Sequence, residues 1–293
     1  MNTSTATDAF VAHRNLLFTV AYEMLGSAAD AEDVLQEVWL RWADVDPADV
    51  RDPRAYLVRI TTRLSLNQLR SLSRRRESYI GPWLPEPLLT SPDVAEDIEL
   101  ADSVSTAMLL VLETLTPTER AVFVLREVFD VPYEEVAAAV DKTPAAVRQI
   151  AHRARSHVEA RRPREVVGRA QRDAVVHRFQ TAIITGDIQS LMDVLAPDVV
   201  LITDGGGVKQ AALRAIQGSE KVVRWLIGVT PQDADNRAEP TMINGNVGLR
   251  LISDDVLDTI ATMRVEGGRV TGLYFVRNPN KLGRVSEEVA LTR

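Results

Sequence analysis

Proline placement constrains this chain more than any other feature, because each proline fixes where a helix can begin and where none can run. At Asp52-Pro53, Thr116-Pro117 and Thr143-Pro144 a proline directly follows a helix-capping side chain. A cap followed by proline at the first helical position is a helix start. Pro132 opens a further short helix through Val140. Pro82, Pro85, Pro87 and Pro92 fall within eleven residues and forbid a regular helix over 77–92. After Pro163 the texture changes. The chain therefore divides into a helical segment 1–76, a proline-rich linker 77–97, a second helical segment 98–163 and a remainder 164–293.

In the first segment, Gly26-Ser27 breaks the helical pattern, and Ser27 with Asp30 reads as a capping box for the next helix. There Ala31, Val34, Leu35, Val38 and Trp42 recur at spacings of three and four, which makes a buried face. Trp39 lies off that stripe; with Asp33, Gln36, Glu37 and Leu40 it forms an acidic, partly apolar face suited to a protein partner. The helix after Pro53 is expected to bury Leu57, Ile60 and Leu64. Its opposite face carries Arg59, Arg63, Asn67, Arg70 and Arg74. The linker holds Trp83, Leu84 and Leu88, so it is expected to dock rather than to swing free.

The second segment has a capping box at Thr116-Pro117-Thr118-Glu119. A short helix to Val140, the connection Asp141-Lys142-Thr143 and a longer helix to about Arg161 follow. That is the helix-turn-helix layout. Val147, Ile150, Ala151, Ala154 and Val158 form the buried stripe of the longer helix; Arg148, Gln149, His152, Arg153 and Arg155 fall off it. Arg148, Gln149 and Arg153 suit base edges in a major groove, while Lys142, Arg155 and Arg161 suit phosphates.

Charge distribution supports two nucleic-acid faces. The chain has 34 basic and 41 acidic residues, a net charge of −7. Yet 54–76 holds seven arginines and no acid, and 142–164 holds seven basic residues and one acid. Residues 77–141 between them hold fourteen acids and two basic residues. Two basic stripes on an acidic carrier is a partner-binding pattern. The arginines with Asn67 suit backbone contact and an unpaired strand.

Residues 164–293 read as α+β. A helix over 169–184 ends before Gly186 and a shorter one follows. Residues 197–203 form a strand, Asp204-Gly205-Gly206-Gly207 a turn, and 220–227 a helix. Three strands are expected at 241–253, 256–265 and 269–276, with a hairpin turn at Glu266-Gly267-Gly268. A buried acid–base pair would make this part an isomerase-like enzyme, with Asp204, Asp258 and Tyr274 as the available groups. The alternative is surface carboxylates and a core tyrosine, with His177 a surface or packing histidine. The chain lacks cysteine, which excludes disulfides, thiolate metal sites and a thiol nucleophile. No apolar run is long enough to span a membrane, and MNTSTATDAF is no secretory signal. The expectation is a cytoplasmic chain with no metal, no cofactor and no catalytic residues.

The stretches LGSAADAEDVLQEVWLRW and AYLVRITTRLSLNQLRS resemble region 2 of bacterial extracytoplasmic-function (ECF) sigma factors. LTPTERAVFVLREVFDVPYEEVAAAVDKTPAAVRQIAHRAR resembles their region 4. The resemblance implies all-α region 2 and region 4 modules that bind core RNA polymerase, at its β′ clamp helices and β flap, and promoter DNA. Asp33, Gln36, Glu37, Trp39 and Leu40 would meet the clamp helices. Arg59, Arg63, Asn67, Arg70 and Arg74 would lie at the −10 element. Lys142, Thr143, Arg148, Gln149, His152, Arg153 and Arg155 would lie at the −35 element.

GPWLPEP, DGGGVK and NPNKL resemble the ECF subgroup with a C-terminal SnoaL-like domain, a cone of curved sheet around helices. Val208 intervenes before Lys209, and Asn280 stands where that pattern has aspartate. The subgroup implies modulation in cis through an interface of Trp83, Leu84, Pro85, Glu86, Asp204, Gly205, Gly206, Gly207, Lys209, Asn278, Pro279, Lys281 and Leu282. A small-molecule ligand in this domain is a further candidate partner.

Overall fold

The cap-and-proline pairs each open a helix in the computed structural model. It describes residues 3–46, 49–161, 168–229, 236–285 and 287–293, and the side chains of these apart from 3–5 and 73–77. The first helical segment forms α1 (Thr3–Leu25), α2 (Ala28–Ala43) and α3 (Pro53–Glu77). The linker contributes a two-residue strand, β1 (Leu89–Thr90). The second segment forms α4 (Ile98–Ser103), α5 (Thr106–Leu112), α6 (Pro117–Phe123), a π-helical turn at Val124–Val128, α7 (Tyr133–Val140) and α8 (Pro144–Glu159). Thr116 and Glu119 close the expected capping box, and Thr143 Oγ1 accepts from the Ala146 amide at 3.2 Å. Asp141, at φ 55°, ends α7 in the left-handed conformation, which sets the tight turn into α8.

The two helical segments share one hydrophobic core. Leu17, Val20 and Leu57 from the first meet Leu109, Leu112, Val122 and Leu125 from the second. Helix α3 packs on α1 and α2 and also on α6 and α7. The buried arc of α3 is consequently wider than an amphipathic stripe. Thr61, Thr62 and Ser65 are buried in it, whereas Ile60 and Leu64, expected inside, are only partly covered.

The remaining elements are α9 (Arg169–Thr185), α10 (Ile188–Val194), β2 (Leu195–Asp204), β3 (Ile216–Gln217), α11 (Ser219–Val229), β4 (Asn236–Ile243), β5 (Asn246–Ser253), β6 (Val256–Glu266), β7 (Arg269–Val276), α12 (Pro279–Leu282) and β8 (Glu288–Val289). One sheet runs in the order β3-β2-β7-β6-β5-β4-β1-β8. Its face bearing Leu201, Leu249, Ala261, Leu273 and Phe275 packs on Val175 and Phe179 of α9 and Val222 and Leu226 of α11. This is the α+β, SnoaL-like layout.

Two sequence expectations need correction. Residues 241–253 are not one strand: Asn244-Gly245, at φ 52° and 70°, turns the chain from β4 into β5. Two consecutive positive φ values are what a two-residue hairpin requires. The linker does more than dock, because β1 completes the sheet between β4 and β8. No helix among the described residues is long and apolar enough to cross a membrane.

Candidate nucleic-acid interface and linker seat

Both basic faces stand where the spacing puts them. On α3, Arg63, Asn67 and Arg70 are exposed; Arg59 is half-buried, its guanidinium 5.1 Å from the Tyr56 ring centroid. The Arg74 side chain lies outside the described residues. On α8, Arg148, Gln149, His152, Arg153 and Arg155 are exposed, as are Lys142 and Thr143 before it. Arg155 forks onto Glu127 at 2.7 and 3.0 Å, and Arg148 reaches Glu134 at 3.3 Å. Arg63 donates to the Ala138 carbonyl of α7 at 2.8 Å, so part of the α3 face is tied to the second helical segment. On α2, Asp33, Gln36 and Leu40 are exposed, Leu40 at 61%. Glu37 pairs with Arg41 at 2.9 Å. Trp39 is half-buried, one face covered by Phe10 at 5.2 Å between centroids.

The linker residues and the two C-terminal motifs meet around Asp204. Its carboxylate is fully buried and accepts from Tyr79 Oη (2.6 Å), the Leu84 amide (2.9 Å), the Gly206 amide (3.1 Å) and Lys281 Nζ (2.7 Å). Burial, together with the Asp204 charge, pushes the Tyr79 hydroxyl well above its ordinary pKa, so it stays a donor. Lys281 also donates to the Leu84 carbonyl at 2.6 Å and sits 4.2 Å from the Trp83 ring centroid. Asn278 donates to Tyr79 Oη at 2.8 Å and lies over Gly206, where a Cβ would be 2.3 Å from its Nδ2. The Gly205 carbonyl accepts from the Val208 and Lys209 amides, and Gly207 faces Ile80. Pro279 opens α12, and Leu282 packs beside Leu84 and Val276.

Lys209 lies in a different cluster, bonded to Asp258 at 2.9 Å beside Arg277. Burial acts against it, but bonds from Thr259 and Lys209 and the Arg277 charge hold the Asp258 carboxyl below the usual range.

Beyond Trp83 the linker turns to the first helical segment. Trp83 lies against Gly26, where a Cβ would be 2.8 Å from the ring. Pro85 and Glu86 are buried. Glu86 Oε2 accepts from the Ala28 (2.8 Å) and Ala29 (3.2 Å) amides and from Ser27 Oγ (3.3 Å). A carboxylate there complements the positive N-terminus of α2. Of the expected Ser27–Asp30 capping box, one half forms, with Ser27 Oγ accepting from the Asp30 amide at 3.2 Å.

Sequence reasoning missed Asn244. Its Oδ1 accepts from the Leu88 amide (2.9 Å), and its Nδ2 donates to Tyr22 Oη (2.6 Å) and the Val104 carbonyl (2.8 Å). One buried side chain thus touches linker, α1 and the end of α4. The Asn-Gly turn dipeptide was the available signal.

The two carboxylates of the enzyme alternative are both engaged by cations and donors. Asp204 is sealed by its four donors, Asp258 is held by Arg277 and Lys209, and His177 is exposed on α9.

Two exposed basic helix faces, one on a helix-turn-helix, on a helical body that an α+β unit grips through its linker, define a two-module nucleic-acid-binding regulator. Family comparison sharpens this. The Sigma-70 region 2 model matches residues 9–75, and the Sigma-70, region 4 model matches 105–158. The ECF RNA polymerase sigma factor SigJ of Mycobacterium tuberculosis is 37% identical over 287 residues, covering 93% of this chain and 91% of its own. A probable ECF RNA polymerase sigma factor of that species, SigI, is 30% identical over 96% of each chain. The crystal structure of SigJ superposes with a TM-score of 0.76 at 34% identity, covering 94% of this chain and 98% of that one. The chain belongs to the family of ECF RNA polymerase sigma factors. It is a transcription factor that works with core RNA polymerase on promoter DNA.

Proposed function

We propose that the structure captures the sigma factor closed on itself, and that its α+β unit tunes in cis how readily it opens. The observation that carries this is the single core shared by the region 2 and region 4 helices. The −10 and −35 elements are about 25 base pairs apart, which is roughly 85 Å of duplex at about 3.4 Å per pair. A compact body of about 160 residues has a radius of gyration of only about 15 Å. Both elements can be reached only after α6–α8 leave α1–α3, and the Arg63 bond to α7 must break with them.

In the open form, Asp33, Gln36, Glu37, Trp39 and Leu40 take the β′ clamp helices, and region 4 takes the β flap. Arg59, Arg63, Asn67, Arg70 and Arg74 take the −10 strand. Lys142, Thr143, Arg148, Gln149, His152, Arg153 and Arg155 take the −35 duplex. The working units are 1–76, the linker 77–97, 98–163 and 164–293, in a cytoplasmic protein. The contacts of Asp204, Asn278 and Lys281 on the linker, and of Asn244 on all three units, support control by the α+β unit.

Run-off transcription with purified core polymerase tests the reading. It compares the full chain, a chain ending near residue 165 and a chain lacking 278–293. Loss of 278–293 removes Lys281 and Asn278 from the linker and is expected to raise the yield. Loss of the whole unit also bares Leu84 and Leu88 and is expected to act differently. Absence of a promoter-dependent transcript from all three refutes the function; identical yields refute the control.

A further inference from the structure

A cavity of about 360 Å³ lies between α4–α5, the first turn of α9, the β4–β5 hairpin and strands β6 and β7. Three of its lining residues, Val247, Met263 and Val265, also border the interior of the sheet-and-helix sandwich, which Val175, Phe179, Leu249 and Phe275 fill. Its walls belong to two units: Thr106 comes from region 4, and Asn246, Thr262, Met263, Arg264 and Tyr274 come from the sheet. The walls are tied together. Thr262 Oγ1 bonds Thr106 Oγ1 at 3.0 Å, and Asn246 Nδ2 donates to the Ala101 carbonyl at 3.0 Å.

Tyr274 is the informative residue. It is only 6% exposed; its hydroxyl, open to the cavity, bonds no side chain or backbone group among the described residues. A buried phenol normally finds a partner, because leaving one unpaired costs stability. Gly272, two residues earlier on the same face, makes room for that hydroxyl: a Cβ there would lie 2.7 Å from it. Burial raises the Tyr274 pKa, which keeps the hydroxyl a neutral donor. Arg264, which also lines the cavity, is steadied through Nε by Thr271 Oγ1 at 3.0 Å and faces the Glu266 carboxylate at 3.5 Å. Its Nη atoms make no hydrogen bond among the described residues. An unanswered donor and a guanidinium in a mostly apolar chamber call for an apolar molecule with one anionic acceptor. The volume is at the small end for organic ligands, enough for one or two rings.

We propose that this cavity binds a small aromatic carboxylate, its rings in the apolar part of the chamber and its carboxylate on the Tyr274 hydroxyl and Arg264 guanidinium. Since region 4 and the sheet each supply walls, the ligand binds the closed form and stabilises it at the expense of the open one. This second step rests on the closed-state reading above; binding itself does not.

Benzoate and 2-naphthoate titrated calorimetrically into the full chain test the site without polymerase. The expected result is saturable one-to-one binding of at least one of them. Tyr274→Phe, which removes one oxygen, should weaken it about fivefold to tenfold. Arg264→Gln should weaken it by at least about tenfold. Ala107→Trp, which fills the chamber from α5, should abolish it; thermal melts of each variant check folding. No saturable binding of either acid, or equal affinity in wild type and Tyr274→Phe, overturns the site. In run-off transcription the binding acid, at a concentration near its wild-type Kd, should lower the yield of wild type more than that of Tyr274→Phe. Binding with no effect on yield overturns the coupling but not the site; absence of a transcript without any acid counts instead against the proposed function.

Discussion

Replacing Glu23 with glutamine measures what holds the closed state together. Glu23 ends α1 fully buried, facing the second helical segment. Its Oε1 accepts from Ser103 Oγ of α4 at 2.7 Å, and its Oε2 has no partner. Arg120 of α6, 2% exposed, donates Nε to the Glu23 carbonyl at 2.8 Å and pairs through Nη1 with Glu113. Tyr22 and Glu86 are the other ionisable groups nearby. Burial pushes the Glu23 carboxyl up to about 8, against the Ser103 bond and the Arg120 charge. The folded chain therefore keeps a proton that the unfolded chain releases near pH 4.5. Stability is full below that value, falls as pH rises towards 8 and levels off beyond. At about 1.4 kcal/mol per pH unit, the loss from pH 5 to pH 8 is roughly 4 kcal/mol. Glutamine keeps the acceptor for Ser103 and never ionises. Glu23→Gln should match wild type near pH 5 and exceed it by a few kcal/mol at pH 8. Urea denaturation at pH 5, 6.5 and 8, followed by tryptophan fluorescence, reads the difference directly, since other titrating groups cancel between the two chains. Parallel pH profiles would refute the reasoning.

Other substitutions probe the linker seat. Asp204→Ala leaves Lys281 and three further donors without their acceptor and should cost about 3–5 kcal/mol, read as a lower melting temperature and faster proteolysis across 77–97. Asn244→Ala removes three buried side-chain hydrogen bonds; a loss of about 2–4 kcal/mol is expected, with tail-truncated chains losing less. Lys209→Ala should change the melting temperature little, about 0–1 kcal/mol, because its side chain is 44% exposed and Arg277 still holds Asp258.

The helices were legible because their starts are written in adjacent residues. Thr116 and Glu119, or Thr143 and Pro144, interact within one turn, so the order of residue types suffices. The exposed faces of α3 and α8 followed from spacing for the same reason. The α3 interior did not: Thr61, Thr62 and Ser65 are buried because α6 and α7 cover them, a long-range fact without a local trace. Strand β1 was hidden because two residues carry no period, and its partners Ile243 and Glu288 are more than 150 positions away. The linker contacts of Asp204, Asn278 and Lys281 were legible only through resemblance. By local chemistry their segments are turns, and the turn reading says nothing of Tyr79 or Leu84.

The seat reads the linker chiefly through its backbone. Asp204 and Lys281 take the amide and carbonyl of Leu84, Tyr22 takes the carbonyl of Glu86, and Asn244 takes the amide of Leu88. The Asn244 amide donates to the Leu88 carbonyl, and β1 extends the pattern into the sheet. Strand addition of this kind gives affinity from main-chain bonds and specificity from alternate pockets, here those of Leu84 and Leu88. An interface built so is cooperative along the chain. Freeing Leu84 takes an amide donor from the buried Asp204 carboxylate and a carbonyl acceptor from Lys281, leaving that buried ion pair with fewer hydrogen bonds, which favours releasing the neighbouring linker residues as well. The linker is then better described as seated or released than as gradually loosened. That two-state character is what the proposed control over regions 2 and 4 needs.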